Sequence, residues 1–330
     1  MHSQLIVNFM NKNKQLQTIG VIGLGIMGGM MAEALCAAGY TVVGYDPVAA
    51  ARARLKKAGG RALASATAVA ATADVVITSL AKASVLADVV KKIATAKRDK
   101  KREPLVVIET STLTLADKEH AQLALAFAGA QTLDCPISGT AVRMKEGAWT
   151  IFASGPQATF KRVKPVLDVF TKNVKFVGAY GNGTKMKFIA NHLVAIYNVA
   201  VGESMTFARK MKLDPQQVWD LFSSSPVLGN GVFKLRGKLM VEQNYLPATM
   251  KVEVWQKDMQ VIGDMAKSID CPLPLFNTCA PLYTTAMAQG LSQHDTASVC
   301  EVLGRMAGLK GGRVVSGSSS RLGNAYEQSK

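Results

Sequence analysis

The apolar run Thr18–Ile22 passes without a break into Gly23-Leu-Gly25-Ile-Met-Gly28, and an Ala- and Leu-rich stretch follows. A strand, a glycine turn and a helix in that order leave few folds open. Gly23 permits a tight turn, Gly25 lets a ligand come close to the backbone, and Gly28 lets helix and strand pack together. The free N–H groups at the helix start then face an anion.

The same rhythm continues down the chain. Short β-rich runs recur at Thr41–Tyr45, Val75–Leu80, Leu105–Ile108, Gln131–Cys135, Trp149–Ala153 and Val174–Val177. Helical stretches such as Gly28–Ala38, Ala49–Ala58, Leu115–Ala128 and Pro156–Phe170 lie between most of them. Buried parallel strands joined by helical crossovers give this pattern, so the expectation is an α/β, Rossmann-type doubly wound sheet. The rhythm stops at the glycine cluster Gly178–Gly183. From Thr184 to about Lys210 there is no proline, which predicts one helix of about 40 Å. Helical segments near Pro215–Phe222, Lys251–Ser268, Leu275–Gln289 and Asp295–Met306 predict an all-α second domain. The expected division is a loose leader (1–17), a dinucleotide-binding domain (18–180), a long helix and all-α substrate and oligomerisation domain (181–310), and a flexible tail (311–330).

A second predicted strand ends at Asp46, 18 residues past Gly28, where an acid can hold the ribose hydroxyls of a dinucleotide. A carboxylate there repels a 2′-phosphate, and Pro47 follows it, so NAD is favoured over NADP. Arg52 and Arg54 on the next helix keep NADP possible. Gly178-Ala-Tyr-Gly-Asn-Gly183-Thr184-Lys185 has the look of a triphosphate loop, but its Thr-Lys order is the reverse of what that site needs.

Composition narrows the classes. With 48% apolar and 19% charged residues the chain is globular, and no apolar stretch is long enough to span a membrane. A net charge of +16 favours anionic partners, yet the one dense basic run, Lys91–Arg102, has no interleaved aromatics and reads as a solvated helix end and loop. No specific nucleic-acid partner is expected. Five cysteines without a C-x-x-C pair and four scattered histidines predict no metal and a reduced, cytoplasmic chain.

Lys187 and Asn191 stand four apart, hence on one face of the long helix. Their neighbours Ile189, Ala190, Leu193 and Val194 are apolar, and a lysine in a first turn gains nothing from the helix dipole, so a functional lysine is the better reading. Here the chain resembles the β-hydroxyacid dehydrogenases, the family of 3-hydroxyisobutyrate dehydrogenase, tartronate semialdehyde reductase and L-threonate dehydrogenase. Four motifs carry the resemblance over roughly residues 18 to 308. They are Gly23–Gly28; Asp134-Cys-Pro-Ile-Ser138-Gly139-Thr140 with Glu146-Gly147; Gly181-x-Gly183-x-x-x-Lys187-x-x-x-Asn191; and Lys257-Asp258.

The resemblance implies hydride transfer between a nicotinamide cofactor and a small β-hydroxy acid, with Lys187 as general acid/base. Ser138 and the backbone of Gly139 and Thr140 would bind the substrate carboxylate, and Asn191 would hold the hydroxyl or carboxylate in line. Cofactor contacts would come from Gly23, Leu24, Gly25, Ile26, Met27, Gly28, Asp46, Leu80, Ser111 and Thr112, with Lys257 closing the site from the helical domain. Such relatives are homodimers or homotetramers. Two departures stand out: Thr140 replaces a common glycine, and Ala81-Lys82 replaces a common Pro-Asn. Val194 lacks the glutamate of the decarboxylating 6-phosphogluconate dehydrogenases, and Lys187 argues against imine reductases. The alternative outside enzymology is a non-catalytic NAD- or nucleic-acid-binding protein on the same fold.

Overall fold

The computed structural model describes residues 18–99, 101–140, 144 and 146–309. The expected leader and tail lie outside them. Two compact units divide the chain: the first runs to Leu193 and takes in Val254–Leu273, and the second holds Val194–Glu253 and the residues from Pro274.

Six parallel strands form the first unit's main sheet: β1 (Thr18–Ile22), β2 (Thr41–Tyr45), β3 (Arg61–Ala62), β4 (Val75–Thr78), β5 (Val106–Glu109) and β6 (Gln131–Asp134). Their order is β3-β2-β1-β4-β5-β6. Crossovers run through α1 (Ile26–Ala37), α2 (Ala49–Lys57), α3 (Ala66–Thr72), α4 (Ala83–Ala94) and α5 (Leu115–Phe127). Alternate strand residues feed two cores. Ile19, Val21, Val75, Ile77, Val106 and Ile108 pack with Met31 and Leu35, whereas Ile22, Val43, Val76 and Val107 pack with Val69, Leu86 and Ile93. Each such side chain contributes about 1.5–3 kcal/mol by leaving water. The winding reverses between β1 and β4, which opens a crevice beyond their carboxyl ends.

Trp149–Ala153 and Val174–Val177 were expected in that sheet. Instead β8 (Thr150–Ala153) and β9 (Val174–Phe176) form a second sheet with β7 (Ile137–Ser138), in the order β7-β8-β9. β7 runs antiparallel to β8. The reversal starts at Pro136, which has no N–H to give a ladder and whose carbonyl accepts from Phe152 N at 3.1 Å. After α6 (Gln157–Leu167) comes α7, an unbroken helix over Asn182–Lys210, 29 residues and about 43 Å long.

In the second unit, α8 (Pro215–Ser224) starts at Asp214, whose carboxylate accepts from Gln216 N. α9 (Gly231–Glu242), which was not anticipated, is capped by Asn230, whose side chain accepts from the N–H groups of Val232 and Phe233. Its internal Gly237 is a packing residue, since an added Cβ would lie 3.1 Å from the Trp219 ring. α10 (Val252–Ser268) belongs to the first unit from Val254 on, whereas α11 (Pro274–Ala288), a 3-10 turn over Thr296–Ser298 and α12 (Val299–Met306) belong to the second. Met205, Phe233, Met240, Tyr245 and Cys300 fill one core here. Among the described residues no helix is long and apolar enough to cross a membrane.

The basic run corrects another expectation. Arg98 donates to the carbonyls of Ala70 and Ala73, and Arg102 to those of Ala71 and Thr72. These are the free carbonyls at the C-terminus of α3, where a cation opposes the negative helix end. The run is therefore only partly a solvated face.

Candidate functional site

The glycine turn lies at the mouth of the crevice. Gly23 has φ +88, and a Cβ on it would come within 2.2 Å of the Ser79 carbonyl oxygen. A Cβ on Gly28 would lie 1.9 Å from Gly23 O, so helix and turn close only through glycine. Nothing lies within 4 Å of the Cβ position of Gly25, which leaves open space beside the backbone at the start of α1. The first N–H groups of a helix have no partner within it, and they face this space. A pyrophosphate fits such a cradle in charge and size. Ile26, 75% exposed, forms an apolar rim, Met27 is half-buried, and Leu24 is buried beneath.

Asp46 follows β2 directly, beside the turn. Its carboxylate accepts from Leu24 N at 2.7 Å and Val48 N at 2.8 Å, so it shapes the turn as well as facing the crevice. Neither arginine weighed for a 2′-phosphate is idle: Arg52 donates to the Asp46 and Pro47 carbonyls, and Arg54 to that of Leu24.

Across the crevice, Ser111 joins two loops. Its hydroxyl accepts from Leu80 N at 2.8 Å, and its own N–H donates to Glu109 Oε1 at 2.9 Å. The Lys257 ammonium donates to the Thr112 carbonyl at 2.5 Å. Among the described residues its ion-pair partner is Asp258, at 3.5 Å, and not Glu253 one turn back. Residues 254–273 belong to the first unit, so Lys257 comes from the same unit as Thr112, where a helical-domain origin had been expected.

Ser138 ends β7, paired with Thr150. Gly139 has φ +135, and its Cβ would meet the buried Trp149 ring at 2.6 Å, so only glycine fits. The Trp149 indole N–H donates to Thr140 O at 2.7 Å, which fixes this stretch of backbone. Glu146-Gly147 follows in a turn.

Lys187 lies on the second turn of α7, and part of its surface stays open. Protein packed around its ammonium penalises the charge, the Asp258 carboxylate works against that, and Lys257 adds to it. The net effect lowers the Lys187 pKa to about 8. Asn191 is buried, and its amide donates to Asp258 Oδ2 at 2.8 Å. Burial raises the Asp258 pKa, against the pull of Lys257, Lys187 and the Asn191 hydrogen bond. Lys187, Asn191, Lys257 and Asp258 thus form one electrostatic group within the first unit. It holds an amine that can take or give a proton near neutral pH.

Known proteins resemble this chain over most of its length. Residues 18–178 match the NAD binding domain of 6-phosphogluconate dehydrogenase, and residues 181–303 match the NAD-binding region of NADP-dependent 3-hydroxyisobutyrate dehydrogenase. The 2-hydroxy-3-oxopropionate reductase of Escherichia coli is 30% identical over 299 residues, which is 88% of this chain and 99% of that one. The L-threonate dehydrogenase of Haemophilus influenzae is 30% identical over 87% of this chain and 95% of its own. The chain belongs to the β-hydroxyacid dehydrogenase family. A 3-hydroxyisobutyrate dehydrogenase structure from Salmonella typhimurium superposes with TM-score 0.76 at 30% identity, covering 86% of this chain and 99% of that one.

As a β-hydroxyacid dehydrogenase the chain is an NAD(P)-dependent oxidoreductase. Asp258 stood in a motif of the sequence without a role; its burial against Lys187 and Asn191 shows only in three dimensions. Lys118 and Glu109 lie outside every motif of the sequence. Lys118 is fully buried between Glu109 and Asp134, and its signal was a charge on the buried stripe Lys118, Ala121, Leu125 of α5.

Proposed function

We propose that this enzyme is an NAD-preferring dehydrogenase of a small β-hydroxy acid, of the L-threonate, 3-hydroxyisobutyrate or glycerate type, with Lys187 as its general acid/base. The observation that carries the reading is the Lys187 amine, brought to about 8 beside Asp258 and Asn191.

The chain's part in the chemistry follows from charge and position. In oxidation the neutral Lys187 amine takes the hydroxyl proton as the carbinol carbon loses hydride; in reduction the ammonium returns it. The nicotinamide, when bound, supplies the hydride acceptor or donor at its ring C4. Asn191, held by Asp258, keeps one amide face fixed toward the substrate. Ser138 and the backbone at Gly139 and Thr140 offer donors to a carboxylate, in line with an anionic substrate and a +16 chain. Gly23 to Gly28 and Asp46 would cradle the dinucleotide, with Leu80, Ser111 and Thr112 toward its nicotinamide half and Lys257 braced on Thr112. The Asp46 carboxylate favours ribose hydroxyls over a 2′-phosphate, which supports NAD.

The assembly is a homodimer or homotetramer in this reading. Met186, Ile189, Leu193, Tyr197 and Phe207 repeat along α7, all at least 40% exposed, and a second copy of the chain would cover them. Five unpaired cysteines suit a reducing cytoplasm.

The test is NADH formation with L-threonate, 3-hydroxyisobutyrate, glycerate and 6-phosphogluconate, for wild type and Lys187→Ala in parallel. Turnover with one acid, lost in the variant while NAD still binds, is expected. Equal turnover by both proteins would overturn the role of Lys187.

A further inference from the structure

Glu109 and Asp134 end neighbouring parallel strands and stand directly in register. Two carboxylates are thus placed side by side at a strand spacing of about 4.8 Å, in the interior. Both are buried, and like charges so placed repel strongly unless something intervenes. What intervenes is Lys118, with no exposed surface, whose ammonium lies 2.7 Å from Glu109 Oε2 and 2.8 Å from Asp134 Oδ1. Burial alone would lower its pKa, but the two carboxylates outweigh burial and raise it, so the charge stays.

Each carboxylate has a second task. Glu109 Oε1 holds the N–H of Ser111, whose hydroxyl in turn holds Leu80 N, at the crevice loops. Asp134 holds the start of α7, accepting from Thr184 N at 2.7 Å and Thr184 Oγ1 at 2.9 Å. Ser154 completes this grip, accepting from Gly183 N and donating to Asp134. Gly183 has no room for a Cβ, which would lie 2.4 Å from Phe152 O, so the helix start sits hard against the strand ends. Tyr180 donates to the Lys118 carbonyl, tying the segment before α7 back to α5. Lys187 follows Thr184 by three residues on that first length of helix.

We propose that Lys118 is a positioning residue of the reaction: its ammonium clamps Glu109 to Asp134 and so fixes the Ser111 loop, on the cofactor side, against the start of α7, the helix that carries Lys187. Without the ammonium, the two carboxylates separate or one takes up a proton. Either way the loop and the helix start lose their common anchor, although Lys118 lies on neither. The kinetic part of this proposal rests on the function proposed above.

The experiment compares wild type, Lys118→Met and Lys118→Met/Glu109→Gln. In the double variant the charge conflict is removed but the clamp is still missing, and the new amide oxygen still offers an acceptor to the Ser111 N–H. Amide hydrogen exchange is read first and needs no substrate. At least tenfold faster exchange in both 110–116 and 182–190, with β1 still protected, is expected in any variant that folds. Faster exchange confined to α5 would overturn the proposal. With the acid that wild type turns over, kcat per NADH-binding site should fall about 100-fold in Lys118→Met and about 10-fold in the double variant. NADH Kd should stay within threefold, and the primary isotope effect from acid deuterated at its carbinol carbon should rise as hydride transfer becomes limiting. A folded variant with kcat within twofold of wild type would show a structural role only. Wild type that turns over no acid would break the functional reading, and the exchange result would still decide the clamp.

Discussion

Lys118 and Lys187 are two lysines enclosed by the same unit, and their surroundings drive them in opposite directions. Lys118 faces two carboxylates at 2.7 and 2.8 Å, and its pKa is raised. Lys187 shares a single buried carboxylate, Asp258, with a competing cation, Lys257, and its pKa falls to about 8. Burial penalises both. The number of paired anions decides whether a buried lysine becomes a permanent strut or an exchangeable proton carrier. In the roles proposed above, one chain uses the same residue type for rigidity and for chemistry.

Removing each ammonium is the strongest way to break that contrast. Lys187→Ala should lower kcat roughly 100- to 10,000-fold, as loss of a general acid/base does, while NADH still binds by fluorescence titration. Lys118→Met should in addition to its kcat loss cost stability, about 3–5 kcal/mol in urea denaturation, because two buried anions lose their partner. If Lys187→Ala were equally destabilising, the division of labour would not hold.

Finer changes sharpen the contrast through pH. In the proposed mechanism oxidation needs the neutral Lys187 amine, so its rate should rise with pH through about 8, and reduction should fall over the same interval. Asp258→Asn removes the anion that favours the ammonium and should move that midpoint down. Lys257→Met removes the competing cation and should move it up. Profiles of kcat for the two variants that shifted the same way would contradict this electrostatic grouping. The smallest effect belongs to a cation outside both clusters. Arg98→Ala should cost about 1 kcal/mol in thermal or urea unfolding by exposing the C-terminus of α3, with kcat unchanged.

Much of the fold could be read from residue order. β1 and β2 span the two segments that the alternation marked, and Gly23, Gly25 and Gly28 each have a geometric reason in the turn. Local patterns carry that kind of information. What they miss is partnership across long separations. Arg102 reaches the carbonyl of Ala71, and Lys118 reaches Glu109 and Asp134, so a residue that reads as solvated or merely helical is committed elsewhere. The two-residue β3 is too short for any periodicity, and the turn at Pro136 sent two strands into a sheet of their own. In the site, Lys187 and Asn191 were visible from helix spacing, whereas Asp258, 67 residues beyond Asn191, needed the folded chain to gain a meaning.

The Asp46 carboxylate carries a consequence for anyone redesigning cofactor choice. Because it accepts from Leu24 N and Val48 N, it is part of the turn's construction. Exchanging it for a small neutral residue to admit a 2′-phosphate would strip two N–H groups of their acceptor beside the glycine turn proposed to cradle the pyrophosphate. Selection for the other coenzyme therefore starts from a handicap in affinity for both. Asparagine, which retains one acceptor oxygen, is the first step with the shallowest descent.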